Sequence, residues 1–190
     1  MDIRGTRAGD GGAAPSPETN GKGGNMPDTL GSSGTTGGRH PVLEHLEALV
    51  GAWETEATHP LLLGTTIRGR ATFAWLAGGR FLICRAHHDH PDIPDSITII
   101  GRDDAGDAET AAAPGGDCVA HYFDARGVSR VSQVDADAGV WRMWRDWPGF
   151  SQRFTGTFGD GGDTLVGNSE LSEDGATWEP DLKVTYRRVR

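Results

Sequence analysis

The feature that most constrains this chain is the beat of turn signals that cuts it from residue 50 onward. Ala77-Gly78-Gly79, Asp124-Ala125-Arg126-Gly127, Pro148-Gly149, Asp160-Gly161-Gly162 and Glu173-Asp174-Gly175 separate short segments rich in alternating apolar and polar residues. Such spacing predicts strands over residues 50–58, 66–76, 80–88, 96–102, 118–123, 128–134, 140–147, 150–158, 164–171 and 177–189. Connections this short force neighbouring strands to run antiparallel. A meander of about ten strands without helical crossovers must deal with two exposed edges, and closing into an up-and-down barrel removes them. The expected fold class is therefore all-β, a ten-stranded antiparallel β-barrel, with a two-sheet sandwich as the competing architecture.

One helix is expected, at Pro41 to Val50. Val42, Leu43, Leu46, Leu49 and Val50 recur at helical spacing, and Pro41 suits a first turn where no backbone N–H is needed. Gly51 can take the left-handed conformation that ends such a helix. Placed before the first strand, this helix is expected to close one end of the barrel. A barrel of this width leaves room inside for a small ligand.

Residues 1–39 carry no aromatic side chain and are rich in glycine. Such a segment cannot bury enough apolar surface to offset its ordering entropy, so it is expected to be a disordered tail before a domain spanning residues 40–190. Its charges balance, which leaves the whole net charge of -9 on that domain. An acidic domain argues against a nucleic-acid partner. No apolar run approaches membrane-spanning length, and the first residues lack the apolar stretch of a secretory signal. Translation could begin at Met1 or at Met26. Cys84 and Cys118 are too few for a disulfide framework, which fits reduced thiols in a cytoplasmic protein.

Several clusters carry candidate chemistry. His87, His88, Asp89 and His90 resemble a metal-binding run in composition, but adjacent strand residues point to opposite faces, so a solvated strand end is the expected reading and no metal is assigned. Phe81, Ile83, Arg85 and His87 share one face of the third strand; Leu82, Cys84 and Ala86 share the other. The first set mixes bulk with a cation, as the lining of an anion-binding cavity would, with an outward arginine at the surface as the equal alternative, while the smaller set suits packing under the helix or a wall. In WRMWRDWPGFSQRF, residues 141–154, tryptophans interleave with arginines; Trp144, Arg145 and Arg153 describe either a pocket for an amphipathic acid or a hydrophobic wall under arginine stems. His121, in mid-strand, is a candidate ligand-binding group because imidazole titrates near neutral pH. No nucleophile elbow, phosphate loop or H-E-x-x-H motif occurs.

Gly51-x-Trp53, after a short helix and at the start of the first strand, resembles the opening of the lipocalin-like (calycin) superfamily. The resemblance implies that Trp53 sits at the closed end with an arginine of the last strand, Arg187 or Arg188, packed across it. ATFAWLAGGRFLICR, HYFDARGVSRV and ELSEDGATWEPDLKVTYRR are similar to segments of an uncharacterised bacterial family with a lipocalin-like domain. Nitrobindin, a haem-binding ten-stranded barrel, is similar in length, strand count and opening motif, which would imply haem. Its further opening glycines are replaced here by Thr55 and Ala57, and no histidine follows His121 to match its C-terminal proximal ligand. The expected function is binding of a small apolar or amphipathic molecule, plausibly a carboxylate, by a monomer or homodimer. Two alternatives stay open: a haem-dependent or other isomerase or hydrolase using His87 or His121, and a dimer module with the tryptophans at its interface.

Overall fold

The computed structural model describes residues 41–102 and 118–190. The expected tail over 1–39 and the Asp-, Ala- and Gly-rich loop over 103–117 lie outside the described residues. The chain enters the barrel through α1 (Pro41–His45), which tightens into a 3-10 turn at Leu46–Leu49. Ten strands follow: β1 (Gly51–Thr58), β2 (Ile67–Trp75), β3 (Phe81–His88), β4 (Ser96–Arg102), β5 (Cys118–Asp124), β6 (Ser129–Asp137), β7 (Val140–Arg145), β8 (Ser151–Gly159), β9 (Thr164–Ser172) and β10 (Glu179–Arg188). Each pairs antiparallel with its neighbours in sequence, and β10 returns to pair with β1, so the sheet is a closed barrel rather than a sandwich.

The boundaries differ from the sequence reading where side chains settle them. β6 runs on through Asp137, leaving Ala138-Gly139 as the turn, with Gly139 at φ 88. Asp135 and Asp137 face outward and are held by Arg142 of β7, at 3.1 and 3.3 Å, which extends the ladder past the expected turn. β7 stops at Arg145 because the Trp147 amide is taken by Ser151 Oγ at 3.2 Å and its carbonyl by the Phe150 amide at 2.9 Å.

Burial alternates along the strands, as it must when one face looks into the barrel. The helix end is packed solid: Leu43, Leu46 and Leu49 meet Trp53, Phe73, Leu82, Ile100, Val134 and Leu165. Trp53 is 1% exposed and donates from its indole N–H to the Leu49 carbonyl at 2.7 Å. The ring of Tyr186 meets it edge-on at 6.4 Å. Arg188 lies 4.1 Å over its ring and donates to the carbonyls of Val50 (2.7 Å), Ala48 (2.6 Å) and Gly162 (3.2 Å). One guanidinium thus satisfies carbonyls at the helix end and in the β8–β9 turn, which would otherwise lack partners. Gly51 has φ 128, and a Cβ there would sit 3.0 Å from the Arg188 guanidinium, so both conformation and close approach call for glycine.

At the far end a second cluster, Ala57, Ile67, Ile93 and Val184, is built partly from loops. Buried Ile93 comes from the β3–β4 loop, which folds over that end of the barrel. Gly69 lies where β2 passes closest to β3; a Cβ there would land on the His87 carbonyl oxygen. Gly69→Ala should therefore push the two strands apart and cost roughly 1–3 kcal/mol, the usual penalty for overpacking. Thermal denaturation against wild type measures it, and an unchanged melting point would show that the strands separate freely there.

Candidate ligand cavity

Between the packed helix end and the loops of the far end lies a cavity of about 190 Å³. Its walls are chemically divided. Ala57, Ile67, Phe154, Leu182, Val184 and Tyr186 form an apolar side from β1, β2, β8 and β10, and Ile93 closes over it. Ser96, Thr98, Tyr122, Arg130 and Ser132, from β4, β5 and β6, form a polar side, with Gln152 near the rim. Neither side is pure: Thr55 of β1 and Ser169 of β9 stand among the apolar strands, and Ile100 and Ala120 lie on β4 and β5 among the polar ones.

The polar side is held in place from behind. Asp124 receives the Tyr122 hydroxyl at 3.1 Å, the Arg126 guanidinium at 2.7 Å and the amides of Arg126 and Val128 at 2.9 and 3.2 Å. Burial works against its charged form, but these bonds outweigh burial and hold its carboxyl below the ordinary range. Burial and the neighbouring carboxylate push the Tyr122 phenol well up, so it remains protonated. Arg130 stacks 4.9 Å over Phe150, and its guanidinium lies 3.5 Å from Gln152 Oε1. Arg145 shares the inward parity of Met143 and sits beside Arg130, turned 5.4 Å over Trp147. Burial, then repulsion from Arg130, lowers its pKa; Arg145 lines the outer groove with His121 and Trp147 rather than the cavity.

The structure inverts the expected faces of β3. Cys84, Ala86 and His88 line the cavity, while Phe81, Arg85 and His87 are exposed on the outer surface. The interior is narrow, so small side chains are the ones that leave room there. The Cys84 thiol is pushed up to about 12 by burial, despite Arg85 nearby, which leaves it an inert cavity wall. His87 is bound to Asp95 at 2.9 Å and to Asp89 at 3.4 Å, and works as a strut for the β3–β4 loop. Its pKa is raised, chiefly by the Asp95 hydrogen bond. Among the described residues no group of three or more His, Cys, Asp or Glu side chains could hold a metal ion.

His121 is exposed on the outer face, in a groove with Phe123, Val131 and Trp144, and so lies outside the cavity. Trp144 and Arg153 have outward parity although both border the cavity lining. Arg153 is engaged outside, 2.6 Å from Glu170 and 4.2 Å over Trp178. At the helix end the arginine across Trp53 is Arg188; Arg187 faces outward and pairs with Glu56 at 2.9 Å. Sequence reasoning missed Arg130 as a lining residue and left open whether His87 or His88 looks inward; the structure turns His88 in. Alternation within residues 128–134 and 80–88 marked two faces on each strand, without saying which looked in.

Haem does not fit this interior. Typical pockets for drug-sized ligands hold about 300–1,000 Å³, and the 190 Å³ cavity here is smaller than that. The C-terminal strands offer it Ser169, Leu182, Val184 and Tyr186 rather than a histidine.

No family model and no curated protein matches the chain. Among solved structures, 16 chains match it. One is the crystal structure of Rv2717c from M. tuberculosis, with a TM-score of 0.53 and 15% sequence identity over 80% of this chain and 99% of that one. At such low identity the likeness extends to the fold alone.

Proposed function

We propose that this chain is a lipocalin-like binding protein whose barrel holds one small, mostly apolar molecule with a polar or anionic end at the far rim. The observation that carries the reading is the 190 Å³ cavity, lined by apolar side chains together with Tyr122, Arg130, Ser132 and other polar groups. An apolar body would lie against Ile67, Phe154 and Val184, while a carboxylate at the rim would accept from Arg130. The catalytic alternative rests on His87 and His121, both of which lie on the outer surface, and it gains no support from their surroundings. Two cysteines, Cys84 and Cys118, too few for a disulfide framework, fit a reducing cytoplasm, and no helix among the described residues is long and apolar enough to cross a membrane.

Calorimetric titration with octanoate tests the reading. Saturable one-to-one binding is expected, and Arg130→Ala should weaken it about ten- to a hundredfold, the loss of a hydrogen bond to a charged group worth about 1.5–3 kcal/mol. Ser132→Phe, which fills the cavity from β6, should abolish binding while leaving a cooperative melt. Binding that survives Ser132→Phe would place the ligand outside the barrel and refute the proposal.

A further inference from the structure

Two buried polar atoms of the described residues have no hydrogen-bond partner, and both belong to cavity-lining side chains: Trp141 Nε1 and His88 Nδ1. Leaving a buried donor or acceptor unpaired costs about 1–3 kcal/mol, and buried indole N–H groups usually find a partner. The contrast within this molecule is sharp. Trp53 donates to the Leu49 carbonyl at 2.7 Å and Trp75 to Glu47 at 2.8 Å, so the indoles nearer the helix are served by the protein itself. Trp141 is 4% exposed, and its ring is gripped between Phe73 at 6.0 Å and Phe154 at 4.9 Å. It cannot swing to find a carbonyl elsewhere.

His88 is fixed from the other side. Its ring bonds the backbone of Pro94, which has no N–H, so the acceptor is the Pro94 carbonyl and the imidazole is the donor. Nδ1 is the unpartnered nitrogen, and we assign the ring proton to Nε2, toward Pro94, which leaves Nδ1 a lone pair. The His88 amide is held by Asp95 at 3.2 Å, so the β3–β4 loop clamps the residue at both backbone and ring. Burial disfavours the charged imidazole, which keeps Nδ1 an acceptor.

We propose, resting on the binding reading above, that the cavity selects a compact hydroxy- or amino-carbonyl compound: its carbonyl accepts from Trp141 Nε1–H and its hydroxyl or N–H donates to His88 Nδ1. One wall atom is donor only and the other acceptor only, so the ligand must carry the opposite pair in a fixed order. An engineered apolar cavity of about 150 Å³ takes a benzene ring, so 190 Å³ suits a body of one or two rings.

Three naphthalene probes separate the contributions: acetylnaphthol, with a ketone on one ring and a hydroxyl on the other; its methyl ether, which lacks the donor; and naphthol, which lacks the acceptor. Fluorescence titration of wild type should show acetylnaphthol binding at least tenfold more tightly than either control. Trp141→Phe should erase its advantage over naphthol, and His88→Leu its advantage over the ether. In wild type, the indole N–H resonance that is missing from the spectrum of Trp141→Phe should shift with acetylnaphthol and stay put with naphthol; this readout holds even if a variant folds poorly. Equal affinity for all three probes would overturn the proposal, with water as the partner of both atoms, and leave the binding reading standing. Failure of all three to bind would overturn the proposal, while the binding reading stands or falls by the octanoate titration.

Discussion

Trp53→Ala should unfold this barrel more readily than any other single truncation in its helix-end core. The indole is fully buried, holds the helix through the Leu49 carbonyl, meets Tyr186 and Phe158, and is the platform on which Arg188 lies. Removing a buried Trp side chain costs about 3–5 kcal/mol, and at about 2–4 °C per kcal/mol for a domain of this size the melting point should fall by roughly 6–20 °C. Arg188→Ala should lose less, about 1.5–3 kcal/mol for hydrogen bonds to a charged group. Because the two side chains touch, their double mutant should lose less than the sum. Strict additivity in urea denaturation would show that the stacking contributes nothing.

The second large effect is expected at the opposite end. His59 and Asp181 are both buried, with Nε2 and Oδ1 2.9 Å apart. His59 Nδ1 accepts the Leu61 amide at 3.1 Å, so Nε2 carries the proton that Asp181 receives. The pair ties the segment after β1 to the bulge between Pro180 and Lys183, where β10 slips its register against β9. Asp181→Ala leaves the buried imidazole N–H without its acceptor and should cost about 1.5–3 kcal/mol, the loss of a hydrogen bond to a charged group. Asp181→Asn keeps an acceptor of the same shape and should retain most of that stability. If Ala and Asn melt together, the charge-assisted bond is not what holds the clasp.

How much of this was legible beforehand differs from feature to feature. Turn glycines placed the strands to within a few residues, because Gly78, Gly79, Gly127 and Gly149 do sit at positive φ where tight connections need them. Closure into a barrel followed from the count and the short connections. Parity did not follow. A strand with apolar residues on both faces, such as 81–88, gives two equally regular sets, and only closure decides which looks inward. That single binary choice moved Arg85 and His87 to the surface and brought His88 inside. The same one-residue ambiguity separates Arg187 from Arg188. Arg130 was hidden for a related reason: an arginine reads as a surface residue until the strand pairing puts Ser132 and Tyr122 beside it.

The order of the strands carries a consequence for how the chain comes together. Each pairing except one joins segments adjacent in sequence, so each is a local hairpin step that costs little chain entropy. The exception joins β1 to β10, the first strand to the last, and the contact of Trp53 with Arg188 lies on that seam. The molecule has put the Trp53–Arg188 clasp on the junction that is entropically hardest to make. Ring closure should therefore be the late, slow event in folding, and a loosened clasp should show itself first as a seam that zips more slowly.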